Sequence, residues 1–588
     1  MGYLPYLSNI ATQRDMVNNF GGYNHNARIN PYEFFDMKNL SSDNFPLVTP
    51  RKERHVCTDG PIPNPQAFCA TDNLVWVNNG ILYYAFLGQP GAELSPGKKK
   101  IAVMGSRVIV FPDKLMFNTE TKSWVALEAS FEGIGSMEVS SSVCTATGTN
   151  LVNFTESKEP PASPANGAYW LDNSKSQYSK FEAPVLKRYY AEDQSWKIET
   201  ETYVKIEATY LGGKFREGDI VEIDGMDERY LNGSHEVYAT TPNGIVLSGL
   251  VCDTATHTAF GVTVRRSVPD MDFITVSGNR VWGCSSKNHE IYASALGDPR
   301  NWHKFQGIST DSYAATVATP GDFTGIAAYK GGVLFFKENG IHKLMGTQPS
   351  NFQLSHVQCR GVQKGCDESV CIVNETLFYK SRGGVMAYAG AMPEPVSDNF
   401  GEQRYSAAVA GGHNGKYYIS MKKDGTEEYE MFVFDTDKGI WHKEDNTQAF
   451  GFASVEHELY MLDAVEKTIK TLTGPHETKY IIDEFSPEGP VEWMAQPGDI
   501  GMEDPEQKYV SQLKIRLEIG ENSRFCMAVQ YDDEDGWNEV YSLSYRRKKT
   551  VTVPFVPRRC DTMRIKFYGE GDFTIFSITK YWSNGGDE

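Results

Sequence analysis

The chain lacks the short signatures that mark the common enzyme classes. Its 588 residues hold no Walker-type or GxGxxG glycine loop, no GxSxG elbow and no HExxH pair. Phosphate cradling, dinucleotide binding, serine-hydrolase chemistry and zincin-type hydrolysis therefore have no local foothold. No CxxC pair occurs among the ten cysteines. Only Cys359, Cys366 and Cys371 cluster, with no histidine at ligand spacing, and zinc wants about four well-placed ligands. The thiols read as free, buried groups of a protein kept in a reducing compartment. The chain also lacks a basic surplus. A net charge of −19 excludes a sequence-reading nucleic-acid binder, which needs a basic footprint. It leaves open plain solubility, or a conduit along which DNA slides without sticking. No apolar run approaches a membrane span, and Met1 to Asn9 has no basic segment leading into an apolar one. The expectation is a protein made and folded in the cytoplasm, reaching any external role through assembly or lysis. With 76 acidic residues, carboxylate pairs are easy to imagine and nothing singles one out. No catalytic, cofactor-binding or metal-binding residue is assigned, and no cofactor is expected.

What the chain has is β-sheet material. It is 40% hydrophobic and 12% aromatic, with 31 Tyr, 31 Phe and 53 Gly, and long amphipathic helical patterns are nearly absent. A hairpin with one outline returns five times: Phe273–Val276 with Asn279–Trp282, Ile326–Tyr329 with Val333–Phe336, Val370–Val373 with Leu377–Tyr379, Ala407–Ala410 with Tyr417–Ile419, and Phe450–Val455 with Leu459–Leu462. The steps between second strands at Trp282, Leu334, Phe378, Tyr417 and Tyr460 are 52, 44, 39 and 43 residues. Such spacing belongs to the four-stranded blades of a β-propeller. The duller alternative is a series of unrelated hairpins in a large sandwich. A second echo, Phe117-Asn118-Thr119 to Trp124 and Phe434-Asp435-Thr436 to Trp441, shares the frame F-[ND]-T-x-x-x-x-W. Its reading is structural: a turn, then a Trp packed between blades.

The expected architecture is all-β: a β-propeller of six or seven blades, an inserted small β domain and a C-terminal β-sandwich. Residues 1–55 read as an extended N-terminal arm. Residues 56–200 read as the first blades, with Leu74–Val77, Ile81–Tyr84, Ile101–Met104 and Arg107–Phe111, followed by an irregular connection. Residues 201–266 read as a small β-barrel or sandwich, because short strands sit close together between Gly-containing turns. Its removal over 203–264 is expected to leave the propeller folded, since only rim loops are cut. The remaining blades occupy 267–480. Residues 481–588, opened by a Ser486–Pro490 linker, carry seven alternating strands, which suggests a sandwich.

Three local runs invite a functional reading. Asp532-Asp533-Glu534-Asp535-Gly536 offers oxygen ligands but reads first as a charged hairpin tip. Arg546-Arg547-Lys548-Lys549 reads as a solvated turn or an inter-subunit salt contact. Trp537, Tyr541 and Tyr545 offer rings on which a sugar stacks.

Two runs carry a resemblance. One is Asn39-Leu40 through Arg51-Lys52, of the form N-L-x-x-D-x-F-P-L-x-x-P-R. The other is Ser277-Gly278-Asn279-Arg280-Val281-Trp282 followed by Ile291-Tyr292-Ala293-Ser294-Ala295-Leu296-Gly297-Asp298-Pro299-Arg300-Asn301-Trp302. With the order arm, blades, insertion, blades, sandwich, the chain resembles the propeller proteins of tailed-bacteriophage tails, similar to podovirus tail-nozzle and tail-stabilisation proteins. Glu492–Lys508 and Pro557–Asp561 also look like proteins of prophages of gut Firmicutes. The resemblance implies a structural virion protein that forms a homo-oligomeric ring and continues or gates the DNA conduit. Its implied partners are copies of itself, other tail or portal/adaptor proteins and passing DNA held without sequence specificity. Its implied place is the virion tail, assembled in the bacterial cytoplasm. The alternative is a receptor- or carbohydrate-binding tail protein.

Overall fold

The structure is a computed structural model and describes residues 12–58, 60–174, 184–472, 488–502, 506–532, 534–544 and 546–584. Among these residues, seven four-stranded antiparallel sheets follow one another around a ring, at 65–89, 100–126, 273–316, 325–358, 371–395, 405–443 and 449–471. The five repeated hairpins are the first two strands of blades 3 to 7. Four of the five turns share a cause. Gly278-Asn279, Lys330-Gly331, Asn374-Glu375 and Asn414-Gly415 all have φ between 45° and 75° at both central positions. That is the two-residue turn whose twist matches the strands it joins. Second strands such as Arg280–Ser285, Gly332–Lys337 and Glu458–Asp463 are buried at every residue, because a neighbouring blade covers each face.

The ring closes with a strand from the beginning of the chain. His55–Val56 supplies the fourth strand of blade 7, pairing with Ile469–Thr471. The first strands of blades 7 and 1 then pack together. The first strand of blade 1, Pro65–Ala70, and this closing strand are too short and too polar to stand out in sequence.

The insertion is larger than expected. Blade 2 ends at Ala126, and Ala129–Glu132 already pairs with Thr263–Arg266. Glu138–Cys144 lies between Tyr203–Ala208 and Ala255–Thr258 in the same curled eight-stranded sheet. A further four-stranded sheet covers 154–198, in the region expected to be irregular. The insertion therefore spans 129–266 rather than 201–266. Its own core includes Val139, Val204, Ile206, Val221, Leu247 and Val264, all fully buried. Cutting only 203–264 would strip Glu138–Cys144 of its partner, so the expected tolerance of that deletion does not follow.

The C-terminal unit is a sandwich of two sheets, and each takes one strand from the arm. Gln13–Val17 pairs with Phe573–Asn584, and Phe34–Lys38 pairs with Glu492–Pro497. The described part of the arm is thus built into the protein's own sheets. Residues 1–11, Ile481, Ser486 and Pro487 of the expected arm, sandwich and linker lie outside the described residues. One apolar core runs from blades 4 to 6 through Phe20, Tyr23, Phe34 and Met37 into the sandwich. Gly22 is needed where the arm crosses blade 6, because a Cβ there would lie 2.2 Å from the Trp441 carbonyl oxygen.

Candidate functional site

The axis of the ring is bridged by charge. Lys98 and Lys100 enter blade 2, and Asp367 and Glu368 form a short turn before blade 5. Lys98 Nζ lies 2.5 Å from Glu368, and Lys100 pairs with Asp367. Lys98 also stands over the Phe450 ring of blade 7, and Lys100 over the Phe273 ring of blade 3. Burial alone would lower the Lys100 amine, but Asp367 and Glu368 outweigh it and raise it. Glycoside hydrolysis asks for two carboxyl groups facing across a sugar. Here the adjacent Asp367 and Glu368 are each held by a lysine.

The two runs that carry the resemblance form joints. In the first, Asn39 donates to the Glu492 carbonyl at 2.8 Å and accepts from Arg51 Nε at 2.9 Å. Arg51 grips both oxygens of Glu488 at 2.8 Å. Arg54 reaches Glu444 at 2.6 Å and Asp445 at 2.9 Å. Burial alone would raise the Asp445 carboxyl, but Arg54 and Arg51 hold it down at about 2. In the second run, Asn301 accepts from the Ile220 amide at 2.9 Å and donates to the Gly218 carbonyl at 2.9 Å. Arg300 meets the fully buried Asp219 at 3.2 Å, and Arg266 pairs with the same carboxylate. Trp302 packs beneath the junction, its indole N–H donating to the Pro299 carbonyl at 2.8 Å. The first joint ties the sandwich to the propeller, and the second ties the insertion to it.

A cleft of about 930 Å³ opens at one side of the sandwich, between the two arm strands. Phe20, Phe34, Leu513, Phe567, Ile578 and Trp582 give it apolar walls. Arg28, Lys508, Arg564 and Lys580 stand around it with Asp15 and Asp499, a locally basic set in an acidic chain. The aromatics proposed for sugar stacking do not line it. Trp537 lies under Lys566 Nζ at 4.3 Å, Tyr541 packs against the core, and Tyr545 is outside the described residues.

The remaining runs have local work. Asp532 accepts from the Asp561 and Thr562 amides at 2.7 and 2.9 Å, and Glu534 pairs with Arg558; Asp533 is outside the described residues. Arg546 meets Glu521 at 2.7 Å and Lys548 meets Glu518 at 3.0 Å, within the same chain. All ten cysteines are free thiols. Burial pushes Cys57, Cys69 and Cys371 up to about 12, so they stay protonated. No group of three or more His, Cys, Asp or Glu suited to a metal occurs among the described residues. Sequence reasoning missed the buried charges Asp219, Arg54, Lys337 and Lys380. The last two had a signal, the repeated Leu334-Phe335-Phe336-Lys337 and Leu377-Phe378-Tyr379-Lys380.

No protein-family model matches the chain, and no curated protein does. Among solved structures it is similar to an exo-β-1,3-galactanase from Phanerochaete chrysosporium with galactose, at 10% identity over 52% of this chain and 95% of that one, with a TM-score of 0.20. It is similar to the WD40 domain of SCAP from fission yeast at 8% identity over 94% and 99%, with a TM-score of 0.23. It is also similar to the N-terminal domain of Nup159 at 10% identity over 35% and 76%, with a TM-score of 0.18. Similarities this weak carry no argument about function.

Proposed function

We propose that this chain is a structural protein of a tailed-phage tail, a subunit of a homo-oligomeric ring that continues or gates the DNA conduit without catalytic turnover. The observation that supports it best is that both resemblance-bearing runs are joints. A ring subunit passes load between its contact faces, and buried ion pairs at two joints make three β units one rigid block. The partners in this reading are further copies of the chain, other tail or portal/adaptor proteins, and DNA passing without specific binding. The place is the virion tail, assembled in the host cytoplasm.

The outer end of the insertion offers a contact face. Ile134 and Phe260 are 73% and 77% exposed. They stand on touching loops, where the Gly133 amide donates to the Val262 carbonyl at 2.9 Å. Exposed apolar groups set side by side, unlike ones scattered singly, suit burial by a partner. The test is native mass measurement and particle imaging of the wild type and of I134E/F260E. A closed ring lost in the variant, with melting unchanged, is expected, and the inner face should be lined mainly by Asp and Glu. A monomer at a fibre tip, or a lumen dominated by Lys and Arg, would overturn the reading. The receptor- or carbohydrate-binding alternative draws on the sandwich cleft, whose size suits a small ligand. Glycan binding by a monomeric wild-type chain would favour it.

A further inference from the structure

Blades 4 and 5 each carry a lysine at or next to the end of the second strand, Lys337 and Lys380. Both lysines are buried, 4% and 2% exposed, and neither has a carboxylate at ion-pair distance among the described residues. Lys337 donates to the Thr319 carbonyl at 2.6 Å, with its ammonium over the Phe323 ring. Lys380 donates to Gln363 Oε1 at 2.7 Å and to the Ser381 carbonyl. Burial lowers both amines, Lys380 to about 8. A buried ammonium without a counter-ion is costly, which makes its surroundings informative.

The surroundings differ. Lys380 borders a polar cavity of about 140 Å³ whose wall includes Ser397, Arg404, Tyr405 and the paired glycines Gly383 and Gly384. Three side chains there keep donors without a protein acceptor among the described residues. An ammonium has three N–H bonds, and Lys380 uses two. The Ser397 oxygen accepts from the Val385 amide at 2.8 Å, and its own proton has no acceptor among the described residues. Arg404 bonds the Gly401 and Gln403 carbonyls through one terminal nitrogen, leaving Nε and the other nitrogen over. The nearby acidic groups are Asp398, exposed on the rim, Asp424, and the Cys366 thiol, which burial keeps protonated.

We propose that this cavity binds one small oxyanion of the phosphate or sulfate class, held by Lys380, Arg404 and the Ser397 hydroxyl. The space equals that of roughly four or five liquid waters, at about 30 Å³ each, which a tetrahedral anion displaces. The anion supplies the counter-charge that Lys380 lacks, and a guanidinium beside an ammonium is a common oxyanion pairing. Because the amine must be protonated, binding weakens as pH rises through about 8.

The test is thermal melting and titration calorimetry of the full chain with sodium phosphate, at ionic strength held constant with chloride. Wild type and K337M should show a saturable rise in Tm at pH 7, weaker at pH 9. K380M and R404Q should each bind at least tenfold more weakly. Arg404 is exposed, so R404Q keeps the fold even where K380M does not. Phosphate also stabilises proteins by exclusion from their surface, which gives a non-saturating rise. An equal, non-saturating rise in all four proteins, or no rise, would overturn the site. Saturation by acetate but not by phosphate would overturn the assigned anion class.

Discussion

The C-terminal sandwich and the insertion are attached to the same propeller by different physics. The sandwich shares its core with blades 4 to 6, and the arm crosses between them as common apolar filling. The insertion keeps a core of its own and meets blade 3 through a small polar clip, Asp219 with Arg300 and the Gly218 and Ile220 backbone with Asn301. A shared apolar core makes two units one cooperative body. A polar clip fixes orientation while leaving each unit its own stability.

The sharpest break between them is by deletion. Ending the chain after Leu472 removes the partner of Phe20, Phe34 and Met37, and should leave an insoluble product. Removing 129–266 should leave a soluble protein that still melts cooperatively. Ala129 faces Arg266 in register, so the ends to be joined by a short Gly/Ser linker are already neighbours. Comparable solubility and melting of the two products would refute the distinction.

Single substitutions follow. Asp219→Ala strands the buried Arg266, while Arg300 keeps Asp298, and should cost about 3–5 kcal/mol. Hydrogen exchange should speed up in 203–266 while blade amides keep their protection; equal loss in both would show one cooperative body. Trp441→Ala should cost about 3–5 kcal/mol across propeller and sandwich together. Trp441 is 1% exposed and donates to the Val396 carbonyl at 2.6 Å. Trp124 is half-buried, and its indole N–H has no acceptor among the described residues. Trp124→Ala should therefore cost about half as much. Gly22→Ala forces a Cβ against the Trp441 carbonyl and should cost about 1–3 kcal/mol by chemical denaturation. An unchanged midpoint would mean the arm yields freely.

Acid gives the most gradual separation. Burial lowers His442, beside the arm, to about 4, and His342, in blade 4, to about 4, where His356 and Lys337 add to the effect. Above pH 6.5 both are neutral in either state and pH has little effect through them. Between about 6.5 and 4 only the unfolded chain takes the protons, so stability falls as pH falls, by up to about 1.4 kcal/mol per pH unit for each histidine. Asp445 acts lower. Its depressed value adds stability above about pH 4, lost as pH drops towards 2. H442Q should flatten the upper window and leave the lower one; an unchanged profile would count against His442 as the titrating group.

What sequence reveals here is what neighbouring residues decide together. The repeated hairpins were legible because each turn and its strands lie within about a dozen residues. The F-[ND]-T echo was legible for the same reason, and both copies place Phe opposite Trp across a hairpin, Phe117 with Trp124 and Phe434 with Trp441. The roles of Arg300 and Asn301 were not legible, although their run stood out, because the groups they hold lie some 80 residues earlier. Asp219 opens an apolar strand and reads as a solvated edge until Arg266 and Arg300 surround it. The boundary at 201 failed similarly: Glu138–Cys144, with three serines, looks like loop until its partners arrive.

The arm strand has a consequence in time. Asp15 and Trp582, bonded at 2.7 Å, are 567 residues apart. At about 5–20 residues per second, a ribosome needs about half a minute to two minutes to make the second after the first. For that interval the strand partner of Gln13–Val17 does not yet exist, and for most of it that of Phe34–Lys38 does not either, while Phe20, Tyr23 and Phe34 are already outside the exit tunnel. The blades can form one after another during synthesis, but the sandwich waits for the last strand. Nascent chains should therefore depend on hydrophobic-segment holding factors in the cell, and a stall late in translation should do more harm than one between blades.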